Sequence, residues 1–375
     1  TAEQGFAGST LNTSGTYNVY PKDIKPAYVQ EWNLTAEYAL TNMLSLQLGY
    51  LGEQGQHIED YGNVNQWLVN GDGNSAPYFN NPYIGQNAPI APVGNSILLI
   101  TESRAAMNYQ ALQAVLRQRF SHGLEYTVNY TYGRALTNSL GNYALNVSGY
   151  SGAFQNYYDS AADWGPAGYD VRHNLSIIGN YDLPVGRGRQ FLSGANRWVD
   201  GAIGGWRVST ALVAYSGFPQ TITGPGNGSN SYGVSRPNQY RPLKVQHRSI
   251  DNWFGYDPAN PQNPYDKIIC TTPGVDNGQC AFGVPATNTF GTARNGNVYG
   301  PGFLNVDMSI FKDFHVWREN TVGFRFDAFN AFNIASYGNP DTNISDTTFG
   351  NISNQGGGAT RSTERHLQFS ANYRF

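Results

Sequence analysis

The feature that most constrains this chain is a period-two alternation of apolar and polar residues, repeated along its length with almost no helical periodicity. Trp32, Leu34, Ala36, Tyr38 and Leu40 alternate with Asn33, Thr35, Glu37 and Ala39. After Thr41, Asn42 and Met43, the pattern resumes with Leu44, Leu46, Leu48 and Tyr50 against Ser45, Gln47 and Gly49. Alternation sends successive side chains to opposite faces of a strand. Two such runs joined by so few residues read as a hairpin. Further runs fall at roughly 105–120, 124–132, 171–183, 206–214, 306–310, 322–328 and 367–375, so about nine strands are expected.

The connections between these runs read short, long, short, long, medium, long, short, long. That parity suits a meander crossing a bilayer with short periplasmic turns and long extracellular loops. A soluble antiparallel sheet with one wet face also alternates. Three features favour the membrane reading. No helix or second sheet is visible to cover so much apolar face. Aromatics stand at strand ends, as with Trp32, Tyr38, Tyr132, Tyr181, Trp206, Phe332 and Tyr373. The loop parity also holds over the whole chain. Composition agrees: charged residues are 13 % and aromatics 14 %, with 26 Tyr and 44 Gly, where globular chains carry about a quarter charged residues. No stretch approaches the ~18 apolar residues of a spanning helix. In lipid a spanning sheet must pair every backbone group and so close on itself. The expected fold is therefore all-β, an antiparallel meander of outer-membrane barrel type.

An odd strand count would put the two ends of the chain in different compartments, whereas bacterial single-chain barrels have even counts. The chain is therefore expected to be the C-terminal part of a larger barrel, with 1–25 a loop and the strands between 26 and 375. Its first and last strands, near 28–40 and 365–375, are expected not to pair with each other, leaving open edges of the kind that promote association.

Several stretches also carry a resemblance. Y-V-Q-E-W-N-L-T at 28–35, L-G-Y-L-G-E-Q-G at 48–55, N-Y-Q-A-L-Q at 108–113, D-V-R-H-N-L at 170–175 and L-P-V-G-R-G-R at 183–189 occur in order. G-G-W at 204–206, S-G-F-P at 216–219, the run from Ala293 to Lys312, F-R-F-D-A-F-N-A-F-N at 324–333 and the terminal Y-R-F follow. In this order they resemble TonB-dependent outer-membrane receptors of the Oar-like type, over about 26–375. The resemblance implies a barrel of about 22 strands with a plugged lumen. It implies uptake of a scarce ligand, a metal chelate or an oligosaccharide, energised through TonB. The plug and the N-terminal carboxypeptidase-regulatory-like domain of such receptors have no counterpart in this sequence. The implied partners are the lipid bilayer, the barrel-assembly machinery, that plug and, through it, the TonB complex. Alternative readings are a passive outer-membrane pore or adhesion scaffold, and a secreted soluble carbohydrate-binding β-protein.

Nine charges fall on the polar phase of their strands: Glu37, Arg117, Arg119, Glu125, Arg172, Arg207, Asp307, Arg325 and Asp327. A charge on the lipid phase would cost about 2–4 kcal/mol at midplane, so these are expected to face the lumen. They could contact plug or ligand there, or satisfy one another across strands. Leu367, Phe369, Tyr373 and Phe375 close the last strand with alternating aromatics, similar to the signal read by the barrel-assembly machinery. Cys270 and Cys280, close together in a polar loop, suit a disulfide formed in an oxidising compartment; two free thiols that never meet are the alternative. Loops 52–104 and 217–302 are where recognition is expected, through residues such as Tyr61, Trp67, Tyr78, Tyr83, Trp253 and Tyr256. N-G-D-G-N at 70–74 and D-P-A-N-P-Q-N-P-Y-D at 257–266 could offer oxygens to calcium, but neither has EF-hand spacing. No catalytic constellation, cofactor fingerprint or metal motif is found, and an enzyme is not expected. Net charge is −3, and no basic run with interleaved aromatics points to nucleic acid.

Overall fold

The computed structural model describes residues 16–63, 66, 68–69, 75–76, 97–139, 154–225, 233–243, 245, 248–255, 268–287, 289–317, 319–353 and 364–375. Among these residues nine long strands dominate: β1 (Tyr28–Ala39), β2 (Leu44–Asn63), β3 (Ile97–Ser121), β4 (Leu124–Thr137), β5 (His173–Asp182), β6 (Arg207–Tyr215), β7 (Phe303–Trp317), β8 (Asn320–Phe329) and β9 (His366–Arg374). Each pairs antiparallel with its sequence neighbours, in the order β1 to β9. The sheet is open: among the described residues β1 pairs only with β2, and β9 only with β8.

Register turns the sequence alternation into two continuous faces. One row runs Tyr38, Leu46, Leu116, Val128, Ile177, Leu212 and Val306 across seven strands. A second runs Tyr181, Val208, Ile310, Phe326 and Phe369. Because side chains alternate strictly, a slip of one residue would exchange the faces. The apolar face thus specifies the register. It is uncovered in the structure: Leu34 is 75 % exposed and Phe369 67 %. Trp32 lies flat over Gly52 on this face, and a Cβ at Gly52 would fall 2.3 Å from the indole.

The structure corrects several expected boundaries. β2 and β3 are 20 and 25 residues long, against about 9–11 needed to span a bilayer. Both ends of the expected loop 52–104 are therefore ladder projecting beyond the membrane. Register shifts at Gly55/Ile58 and Ile58/Asp60 break the alternation there, which hides these strand ends from a periodicity reading. Residues 1–25 are not all loop: Thr16–Val19 pairs parallel with Ile97–Ile100 on the overhang of β3. β5 begins at His173, because Gly165–Pro166 takes over the edge of β4 above it. β7 runs on to Trp317 past a register irregularity, shortening the expected turn at 315–320. Finally, the connection after β5 holds a helix, α1 (Arg197–Ile203), capped by Asn196, whose side chain accepts from the Trp198 and Val199 N–H groups. An Asn cap of this kind satisfies two otherwise unpaired donors.

The largest hydrophobic core is not on the sheet at all. Ile222, Phe254, Ile268, Ile269, Ala281, Phe282, Ala293, Val298, Ile344 and Phe349 form one buried cluster. They come from the connections after β6 and β8, at the end of the sheet that carries the long loops. That is the extracellular end in barrels whose periplasmic turns are short.

Candidate functional site

Two surfaces could serve recognition: the polar face of the sheet and the loop layer above it. Register places most of the charges expected from the sequence on one face. Arg117, Thr127, Ile178, Ala211 and Asp307 share a row, and Glu125, Asn180, Ser209, Ser309, Asp327 and Gln368 share the next. Arg207, Phe311, Arg325 and Ser370 form a third. This face lies opposite the apolar rows.

Most of these charges are held by neighbours. Asn180 Nδ2 donates to Glu125 Oε1 at 2.7 Å, and Ser209 donates in turn to Asn180. Arg207 donates to Asp182. Arg325 Nε reaches both oxygens of Asp327 at 2.8 and 3.0 Å, and Ser309 donates to the same carboxylate. Asp307 Oδ1 accepts from Asn305 Nδ2 and from the Asn330 N–H, each at 2.9 Å. Glu37, Arg117 and Arg119 differ, since no ion pair or side-chain hydrogen bond holds them among the described residues. Arg117 and Arg119 border an open recess of about 380 Å³ with Glu125, Tyr126 and Asn180. Arg172 departs from expectation: it sits one residue before β5, where it lies 3.7 Å from Asp170 and 3.4 Å from the Tyr299 hydroxyl. It joins the sheet to the loop layer, because β5 starts later than its alternation suggests.

The loop layer is organised around a buried ion pair that sequence reading missed. Arg236 donates to the Asp163 carboxylate and, at 3.0 Å, to Asn295 Oδ1; the side chains of Arg236 and Asp163 are 2 % and 0 % exposed. The Gln155 N–H donates to Asp163 Oδ2 at 3.1 Å, and Asn295 Nδ2 to the Asp163 carbonyl at 2.9 Å. Burial pushes the Asp163 carboxyl up, opposed by Arg236, Gln155 and Asn295. Three separated segments, around 155–163, 236 and 291–295, meet at this node. Gly291 is required for the approach, since a Cβ there would fall 1.8 Å from the Arg236 carbonyl. Asp170 is likewise raised by burial, opposed by the Ala135 N–H it accepts at 2.7 Å and by Arg172. Arg104 is sandwiched between the Phe154 and Tyr157 rings, 4.8 and 4.5 Å from their centroids.

Cys270 and Cys280 are joined as a disulfide with Cα atoms 5.6 Å apart. Asp276, between them in sequence, gives both carboxylate oxygens to Arg241 at 2.8 and 2.9 Å. Arg241 and the Gly278 N–H hold its carboxyl below the usual range. The sulfurs and this carboxylate are therefore already committed, although they stand close enough to suggest a metal site. Trp253 donates its indole N–H to the Tyr299 carbonyl at 2.8 Å with Arg248 over its ring, and Tyr61 is buried in β2. These aromatics bind the layer together rather than face outward. Trp67, Tyr78, Tyr83, Tyr256 and both calcium candidates, 70–74 and 257–266, lie outside the described residues. On β9, Leu367, Phe369 and Tyr373 share the apolar face, and Phe375 beyond it is 98 % exposed.

Comparison with curated proteins gives no match. Among solved structures, the chain is similar to the outer membrane transporter YddB from Escherichia coli, with a TM-score of 0.42 and 7 % identity over 96 % of this chain. It spans 34 % of that transporter's length. A family model described as an outer membrane beta barrel domain matches residues 1–368, which sets aside a soluble secreted protein. The chain belongs to this outer membrane beta barrel family.

Proposed function

We propose that the chain is the barrel wall and outer recognition layer of a TonB-dependent receptor of the Oar-like type, without enzymatic activity, serving uptake of a metal chelate or an oligosaccharide. The observation that carries this reading is the loop layer. The long connections build a cored, disulfide-linked body seated on the lumen-lining face through Asp170, Arg172 and Tyr299. A simple pore has no use for so much ordered structure over its mouth, whereas a receptor needs rigid loops to discriminate ligands. On this reading Arg117, Arg119 and Glu37, without ion-pair partners among the described residues, meet the receptor's plug.

The full-length gene product in a planar bilayer tests it without knowledge of the ligand. The intact protein should stay closed, conduct only after its plug is removed, and capture the periplasmic domain of TonB. Steady conductance of the intact protein with no TonB capture would overturn the proposal and favour a passive pore.

A further inference from the structure

A charge stands on the apolar face at the short-turn end of the sheet. Lys312 follows Met308 and Ile310 on the apolar phase of β7 and sits opposite Phe324 of β8. Its side chain is nevertheless buried. Nζ donates to the Gly201 carbonyl, with the Asp200 carbonyl at 3.4 Å, both in the last turn of α1. Trp206, just before β6 on the same phase, donates Nε1 to the Ala202 carbonyl at 2.9 Å. Helix C-terminal carbonyls carry partial negative charge and lack partners within the helix. Donors from the lipid face thus fix α1 against the outside of the sheet, at the short-turn end. Rings continue along that rim: Trp206 to Phe314 at 6.4 Å, Phe314 to Phe324 at 5.6 Å and Phe324 to Phe369 at 6.0 Å.

What α1 and its approach present outward is amphipathic. Trp198, Phe191, Leu192 and Val199 are exposed, Trp198 to 78 %. Arg187, Arg189 and Arg197 are exposed among them, and none has an ion-pair partner among the described residues. The nearby acids are committed: Asp200 Oδ1 accepts the Arg187 backbone N–H at 2.6 Å, and Asp182 holds Arg207. Exposed aromatics with arginines, at bilayer-interface height on the lipid side, are the composition of an interfacial anchor.

We infer that the segment 184–206 is a membrane-interface anchor that binds anionic phospholipid of the periplasmic leaflet. Trp198, Phe191 and Leu192 enter the headgroup–acyl boundary, and Arg187, Arg189 and Arg197 take the lipid phosphates. Each arginine near an anionic surface is worth about fivefold in affinity, so three together favour phosphatidylglycerol by on the order of a hundredfold or somewhat less after screening.

The test is native mass spectrometry of the full-length protein, exchanged from detergent into mixed phosphatidylglycerol and phosphatidylethanolamine. The wild type should retain phosphatidylglycerol preferentially. The triple variant Arg187→Gln, Arg189→Gln, Arg197→Gln should lose that preference at least tenfold while remaining heat-modifiable on gels. Equal retention by both proteins, no preference in the wild type, or displacement by free glycerol phosphate would overturn the inference. Should the triple variant fail to fold, quenching by brominated phosphatidylglycerol decides. The folded Trp198→Phe protein should lose a quenchable fraction of fluorescence that the wild type shows, and identical quenching would overturn the proposal.

Discussion

Leu34 on the sheet is 75 % exposed, whereas Phe254 and Phe282 in the loop layer are at most 1 % exposed. The residue types are alike and their burial is opposite, because the two regions are built for different solvents. The sheet leaves its apolar face bare and, between its two open edges, satisfies its backbone by strand pairing, as a structure in lipid must. The loop layer, in water, has to bury its own core and pair its own charges. The two regions should therefore answer differently to the same kind of substitution.

The largest effect is expected in the loop layer. Arg236→Ala leaves Asp163 buried without its cation, and breaking one side of a buried pair costs about 3–5 kcal/mol. Limited proteolysis of the full-length variant should release fragments from 154–170 and 234–300 while the barrel keeps its heat-modifiable mobility. Loss of the folded barrel band would show that sheet and layer form one cooperative unit.

On the sheet, a matched pair of substitutions sharpens the contrast. Leu116 and Val115 are adjacent in β3 and face opposite ways. Leu116→Arg puts a charge in lipid at about 2–4 kcal/mol near midplane, while Val115→Arg adds one to the polar face at little cost. Reversible unfolding in vesicles should separate the two variants by that amount. A reversed order would mean that the two faces have been exchanged, and equal stability that they do not meet different solvents.

The nine strands and their facing were legible because period two is a local signal, and Leu116 against Arg117 already declares its faces. The loop layer was not. Ile222, Phe282 and Phe349 have no shared period, and Asp163 finds Arg236 across 73 residues of sequence. The outer ends of β2 and β3 were hidden by bulges around Ile58. The disulfide was legible from two cysteines close together in one loop. Lys312 was legible in principle, as a charge on an apolar phase, but its partners lie in a helix of seven residues. A helix so short shows no amphipathic period, and only Asn196 before it and Gly204 after it mark its ends.

The smallest expected effect separates electrostatic from covalent restraint within the loop layer itself. Asp276 is exposed and held below the ordinary carboxylate range by Arg241 and the Gly278 N–H. A depressed folded-state value means that its contribution is complete above the unfolded value of about 3.9 and is lost as pH falls through the folded-state value. Asp163 and Asp170 are raised by burial, so their linkage has the opposite sign and acid does not open the layer through them. Hydrogen exchange at 270–280, normalised to the intrinsic rate at each pH, should therefore rise slightly below about pH 4 in the wild type. In Asp276→Asn it should be higher already at neutral pH and change little on acidification. The disulfide keeps both changes small by tying the ends of the segment. A profile that rises equally in both proteins would assign the acid response to some group other than Asp276.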